Sequence, residues 1–463
     1  MNLLIYAMIA ASMVVEYLQL KFSLPGVIKY VPELLSAVAA VVVVVRISLN
    51  RFRDLEPRYF AVLLLLLIHI TIGIFANHLT AGVIFSGIRF YLKYLPFFLL
   101  PLVLPVSEGN LRKQLLVLLP LTLIQLPIAW AQRMATMARG GITGDETVGT
   151  MLLSNTLTVY ICCVIAVAMA MYLRGRMSMK MLLLFAALTI PSTMINETKG
   201  AFILLPLALI IPGMIANVSA TSGSIRRGII TLALASVTLY SFVQVYDYFM
   251  IPRWGYGLMD FFQMDGRLER YMMKDATVGT EVEVGRVDGL ILPFKAAAAE
   301  NDPMQAILGL GIRNISQSKL GADFTGAEYS RYGNLISSSG SLLIWELGVL
   351  GLLLVFTLMY LIMRDAWTLR RAEGLIGTFA VGWVAISVIM AISLFYTNAI
   401  DSTALSTLYW LFSGFIVAAA RKLRAGQLAL VQPPVKAPPR TMETFRDPTP
   451  TFLNSAPRPT SRR

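Results

Sequence analysis

Apolar runs of about 18 residues or more recur along the whole chain, too long and too clean for the core of a soluble domain. Each can cross ~30 Å of hydrocarbon as a helix. In lipid the backbone must satisfy its own hydrogen bonds, and these lengths select helices over barrel strands. Twelve segments are legible, roughly 3–20, 31–45, 59–76, 85–106, 112–131, 151–172, 180–196, 200–217, 228–246, 338–363, 375–396 and 403–420. The expected fold is an all-α polytopic membrane protein of about 12 transmembrane helices. The charge content agrees: 14% of the residues are charged, against roughly 25% in a soluble domain.

Lys and Arg in the short loops set the orientation. One set of loops, with the last helix end, holds seventeen: Arg46, Arg51, Arg53, Arg58, Arg112, Lys113, Arg174, Arg176, Lys180, Arg226, Arg227, Arg364, Arg370, Arg371, Arg421, Lys422 and Arg424. The other set holds five: Lys21, Lys29, Arg133, Arg139 and Lys199. The rule then predicts both termini inside and residues 247–337 outside as one large loop. The division is 1–246 for nine helices, 247–337 for the loop, 338–424 for three more helices, and 425–463 for a cytoplasmic tail. The tail, rich in Pro, Thr and Arg, is expected to be disordered. No signal peptide separate from the first segment is expected, since residues 1–20 lack a basic start and a small-residue cleavage site.

This asymmetry accounts for the net charge of +13 without nucleic acid, for which no basic-aromatic module is visible. The two cysteines, Cys162 and Cys163, are adjacent in an apolar segment and are expected to pack there. The two histidines, His69 and His78, lack partners at ligand spacing, so no metal site is expected.

Ionisable groups inside apolar segments are functional candidates by default. Arg89 and Lys93 are four residues apart, hence on one helix face. They repel unless an anion sits between them or both snorkel to water. Asn196-Glu-Thr-Lys-Gly200 leaves Lys199 at the outer mouth of a segment, where an interfacial anchor is the simpler role. Glu16 falls near an interface. Glu346, about two turns into its segment, needs a partner or a proton. In the loop, Arg253, Arg267, Arg270, Arg286, Arg313 and Arg331 stand among many acids, a pattern that solvation alone explains. Residues 288–300 have helix formers with Pro293 near a start or kink. Asn301-Asp-Pro303 ends that helix, and Gly309-Leu-Gly311 makes a tight turn without the βαβ context of a dinucleotide fingerprint.

Several motifs coincide in order. Gly285-Arg286, Pro303 seventeen residues on, and Gly309-Leu-Gly311 resemble the loop segment of the O-antigen ligase and polysaccharide polymerase superfamily (Wzy/WaaL-like). Thr198-Lys-Gly-Ala201 resembles that family's SRGA, with Lys for the usual Arg. Gln132, Gly144-Asp-Glu-Thr-Val-Gly-Thr150 and Ser154-Asn155 resemble its outer loop between the fifth and sixth spans. Glu346-Leu-Gly-Val-Leu-Gly351 resembles its E.G..G. The ligases carry a His eleven residues before that Gly. Here Ser337 stands there with Ser338 next, which departs from the ligase pattern.

The resemblance implies a GT-C-like membrane glycosyltransferase of the bacterial inner membrane, active on its periplasmic face. Glycan passes from undecaprenyl diphosphate to an acceptor hydroxyl with inversion, without metal or cofactor. Arg286 and Lys199 are then leaving-group cations, and Glu346 is a candidate base. Arg89, Lys93 and Arg313 would guide the diphosphate, beside Ser337. The implied partners are the undecaprenyl-diphosphate-linked oligosaccharide, the growing polysaccharide chain and membrane lipids, with chain-length regulator and exporter proteins left open. The alternatives are ligase-type transfer to another acceptor, or a flippase or exporter of lipid-linked glycan. An exporter needs no such loop and usually shows internal repeats. A metal-dependent outer-face transferase usually has an acidic pair in its first outer loop, and residues 21–30 contain none.

Overall fold

The computed structural model describes residues 2–49, 56–141, 144–216, 223–263, 266–273, 276–278, 281–318 and 320–426. The tail expected to be disordered lies outside them from residue 427 on. So do Arg51 and Arg53 of the orientation count, and the side chains of Arg226, Arg227, Arg253 and Arg270.

The helices are α1 (Asn2–Phe22), α2 (Val31–Leu49), α3 (Pro57–Ala76), α4 (Ala81–Leu92), α5 (Leu95–Val103), α6 (Glu108–Leu123), α7 (Gln125–Ala138), α8 (Ser154–Leu173), α9 (Met179–Thr189), α10 (Pro191–Ile195), α11 (Ala201–Ile215) and α12 (Gly223–Trp254). After them come α13 (Leu258–Gln263), α14 (Arg267–Met273), a hairpin of β1 (Ala276–Val278) and β2 (Glu281–Glu283), α15 (Asp288–Ala299), α16 (Pro303–Leu308), α17 (Tyr329–Tyr332), α18 (Ser339–Leu369), α19 (Gly374–Tyr396) and α20 (Thr403–Arg424). The protein is an all-α polytopic membrane protein with one small hairpin.

Among the described residues nine helices are long and apolar enough to cross a membrane, α6 and α7 counting as one. The fourth expected segment is instead a pair, α4 and α5, bent by 44°. Pro96 falls at the start of α5, where it lacks an N–H to continue the α4 ladder. The seventh and eighth expected segments are shorter: α9 with α10, and α11 with Pro206 and Pro212 inside it. The ninth extends further than the sequence suggested, since α12 runs to Trp254, so the long polar segment begins near residue 255 rather than 247. A helix does form where the 288–300 composition predicts one, with Pro293 inside it.

Burial runs opposite to that of a soluble bundle. The apolar window of α20 is 89% buried and that of α19 78%, whereas that of α12 is 17% buried. Large apolar side chains such as Leu65 and Ile68 of α3 and Leu232 and Val237 of α12 face outward. Lipid tails are as apolar as leucine, so exposing these residues to a bilayer costs little.

α18 is the organising element. Gly348 breaks it with φ +63 and ψ −173, and the carbonyls freed there all find protein partners. Leu310 N–H donates to Trp345 O (2.8 Å), Gly311 N–H to Glu346 O (3.0 Å), and His69 Nε2 of α3 to Leu347 O (2.7 Å). An unpaired carbonyl at that depth would cost several kcal/mol. Gly309 (φ +75) lies directly against the break. A Cβ on it would sit 2.5 Å from Glu346 C, and one on Gly348 would sit 2.2 Å from Ile307 O. The Gly309-Leu-Gly311 and Glu346-Leu-Gly348 motifs are thus two halves of one backbone junction.

The ends of the bundle differ. At one, Asp365 near the end of α18 takes Arg58 (2.6 Å), Tyr59 Oη (2.8 Å) and Arg424 (2.9 Å). Lys422 Nζ donates there to Val106 O (2.8 Å), and Glu108 Oε1 accepts from Leu375 N (2.5 Å) at the start of α19. Asn2 bonds Asn110 at that end too, so both ends of the described chain lie at this basic end. The described residues between 255 and 337 lie at the opposite end, where α3 finishes, α18 begins, and Asn77 reaches Gly309 O (3.3 Å).

Candidate functional site

The first turns of α18 carry two groups of the candidate residues. One group gathers around Tyr271 of α14. Lys199 Nζ lies 5.4 Å from the Tyr271 ring centroid and 4.8 Å from that of Phe261, while the Arg286 guanidinium carbon lies 5.9 Å from Tyr271. Two cations 87 residues apart in sequence therefore approach the same ring. A guanidinium or ammonium near an aromatic face is held by the ring quadrupole and keeps its remaining donors available. Arg286 also donates from Nη1 to the Ser337 carbonyl, which ties it to the start of α18. Ser337 is buried, and its hydroxyl has no hydrogen-bond partner among the described residues. Among the described residues it therefore has no hydrogen-bonded base to make it a nucleophile.

Gly200 positions Lys199. Its N–H donates to Tyr396 Oη (3.0 Å), and a Cβ there would sit 2.5 Å from the Tyr396 ring. The Tyr396 hydroxyl also interacts electrostatically with Tyr271, so the end of α19 lies against α14 as well as the 196–201 turn. That turn is itself fixed: Asn196 Nδ2 donates to Ser154 O (2.9 Å) and Thr158 Oγ1 (3.0 Å) at the start of α8. Glu197, at φ +58, pairs with Arg133, which is wholly buried and packs on Phe249 at 5.2 Å. Gln132 accepts from Val148 N (3.0 Å) and Gly149 N (2.8 Å) and donates to Gly149 O (2.8 Å), so one side chain folds the 148–149 turn.

The second group lines a cavity of about 150 Å³ and comprises Arg89, Lys93 and Arg313. The repulsion expected between Arg89 and Lys93 is reduced by a carboxylate of the protein itself. Glu33 at the start of α2 takes Arg89 through a two-pronged contact, 2.7 Å to each oxygen, and Tyr30 stacks on the guanidinium at 5.1 Å. Lys93 Nζ lies 4.8 Å from the Tyr94 ring, with Glu16 and Asp401 on the same cavity wall. The cavity is thus a mixed-charge site. Arg313, with φ +57, rests on the Phe90 ring at 4.6 Å and donates to Gln317 O.

Glu346 joins neither set of cations directly. Fully buried, it accepts from Ser316 Oγ at Oε1 (2.5 Å), and from Tyr91 Oη (2.8 Å) and Arg313 N–H (2.8 Å) at Oε2. Three donors leave little of its acceptor capacity open. Its side chain holds the 311–316 turn, and through it Arg313, against α18. From Ser339 to Glu346 the helix rises ~10 Å, so α18 connects the two groups.

Sequence reasoning missed Tyr271, Tyr396, Glu33 and the Arg133–Glu197 pair. Glu33 carried a usable signal, since the rule that singles out Arg89 applies equally to a carboxylate in the first turn of an apolar segment. The tyrosines carried none. Among the described residues no three His, Cys, Asp or Glu side chains are grouped so as to hold a metal ion.

No family model matches the chain, and no curated protein matches it.

Proposed function

We propose that the protein is a bacterial inner-membrane polysaccharide polymerase. It transfers glycan from undecaprenyl diphosphate to a sugar hydroxyl of an acceptor chain, with inversion and without a metal. On this reading α9 with α10, α11, and the bent α4–α5 pair each cross the membrane, which makes twelve crossings. The basic end faces the cytoplasm and residues 255–337 face the periplasm.

The observation that carries the reading is the meeting of Lys199 and Arg286 on Tyr271. As the acceptor oxygen bonds to the anomeric carbon, the bond from that carbon to the diphosphate oxygen breaks, and negative charge accumulates on the leaving group. Fixed cations in a partly dry site stabilise that charge by several kcal/mol, and a guanidinium adds two-pronged hydrogen bonds. The segments supplying these cations are braced by Asn196, Tyr396 and the α18 junction. Ser337, at the position of the ligase histidine and without a hydrogen-bonded base among the described residues, favours the polymerase over ligase-type transfer.

The test is Arg286→Ala, with Arg286→Lys beside it, in cells and with purified protein given lipid-linked repeat units. The expected result is protein in the membrane at normal levels, no polymer from Ala, and strongly reduced polymer from Lys. Polymer from the Ala variant at the parental rate refutes the site. With the parental protein, longer lipid-linked chains support polymerisation, transfer to a different acceptor marks a ligase, and transport without chemistry marks an exporter.

A further inference from the structure

A groove of about 830 Å³ runs between α6, α8, α9, α19 and α20, and neither Lys199 nor Arg286 lines it. Its walls are apolar along most of their length, through residues such as Leu115, Val164, Phe185 and Leu408. Charge appears only where it opens at the basic end of the bundle, as Glu108, Arg112 and Arg176. Glu108, the one acid lining it, is already engaged with the Leu375 and Ile376 N–H groups at 2.5 and 3.4 Å. Several basic side chains at that end of the molecule are likewise committed: Arg58 and Arg424 to Asp365, Lys422 to Val106 O, and Arg174 to Arg370 O. Arg112 and Arg176 are exposed, and neither makes an ion pair among the described residues. The groove therefore presents two uncommitted guanidinium groups above an apolar slot.

We infer that this groove is a binding site for one anionic phospholipid of the leaflet at the basic end. Its phosphate lies on Arg112 and Arg176, and its acyl chains run along the slot. Water is a poor occupant of so long an apolar channel open to hydrocarbon, and acyl chains fill it at no cost in hydrogen bonds. Basic pockets between membrane helices select anionic headgroups, and arginine binds phosphate through paired hydrogen bonds. The volume falls within the range of about 300–1,000 Å³ typical of ligand sites. The inference rests on the membrane fold alone and is independent of the transferase reading.

The full-length protein, purified in detergent and stripped of lipid, is heated with added phosphatidylglycerol, phosphatidylcholine or glycerol phosphate. Phosphatidylglycerol is expected to raise the unfolding midpoint well above the shift given by phosphatidylcholine, and glycerol phosphate to have no effect. Arg112→Ala with Arg176→Ala should weaken phosphatidylglycerol binding at least tenfold and erase the preference. Val164→Trp, which fills the slot, should abolish the shift with both lipids. Native mass spectrometry should find one phosphatidylglycerol retained on the parental protein and none on the double variant. Equal shifts with the two lipids overturn the inference, as does a double variant that keeps the preference. An equal response to glycerol phosphate overturns it too, by showing a free-anion site. If Val164→Trp fails to fold, the double variant still decides, because both arginines are exposed.

Discussion

Replacing Glu346 separates a carboxylate that holds the fold from one that moves a proton. Its oxygens take three donors: Ser316 Oγ at one, Tyr91 Oη and the Arg313 N–H at the other. Glu346→Ala leaves all three buried without an acceptor. At roughly 1–3 kcal/mol per orphaned donor, the loss is roughly 3–9 kcal/mol, and the 311–316 turn should come away from α18. Glu346→Gln differs sharply. Its amide oxygen can keep Tyr91 and the Arg313 N–H, while its NH2 donates to Ser316 Oγ, whose hydroxyl turns to accept. What is lost is the charge reinforcement, offset by the relief of no longer burying a charge, a net change within about 1–2 kcal/mol. Unfolding midpoints in detergent should therefore rank parental and Gln close together and Ala well below. On the proposed function, polymer synthesis by the Gln variant, per folded molecule, should stay within tenfold of parental. A Gln variant with the parental midpoint but polymer synthesis reduced 10²–10⁴-fold, the usual contribution of an acid or base, refutes the structural assignment and makes Glu346 the base.

Gly348→Ala should be among the most damaging single-methyl changes in the chain. It forces a non-glycine residue into φ +63, at about 1–3 kcal/mol, and drives a methyl to 2.2 Å from Ile307 O. The readout is membrane-embedded protein by immunoblot and its unfolding midpoint; parental values for both would refute the junction. Asp365→Ala leaves Arg58 and Arg424 with Glu56 as their one remaining shared carboxylate among the described residues, and Tyr59 Oη without its acceptor. A fully buried pair broken this way loses about 3–5 kcal/mol; because both arginines reach solvent, roughly 1–3 kcal/mol is expected, read as a lower midpoint with polymer synthesis per folded molecule unchanged.

The apolar runs were legible because the bilayer imposes length and hydropathy locally, residue by residue. Where proline intervened, local pattern misled: 85–106 reads as one segment, yet the chain bends by 44° between α4 and α5. Part of the site was legible for a similar local reason. Arg89, Lys93, Lys199 and Glu346 stand out because charge in an apolar segment is conspicuous. Their partners do not. Glu33 lies 56 residues from Arg89, and Tyr91 and Ser316 reach Glu346 from two other segments. The alternatives weighed for Arg89 and Lys93, an outside anion or escape to water, omitted the internal carboxylate that pairs with Arg89.

By itself the sequence determined that the chain dissolves in lipid as helices, since an unpaired backbone has no other solution there. It also marked where charge interrupts the apolar pattern. Only the tertiary structure decided what each charge does. It joined Gly309 to Gly348, committed Glu33 to Arg89 and Glu346 to the 311–316 turn, and brought Lys199 and Arg286 to one tyrosine. The reason is physical: helix formation in a membrane depends on near neighbours in sequence, whereas the fate of a buried charge depends on whichever distant side chain arrives within hydrogen-bonding distance.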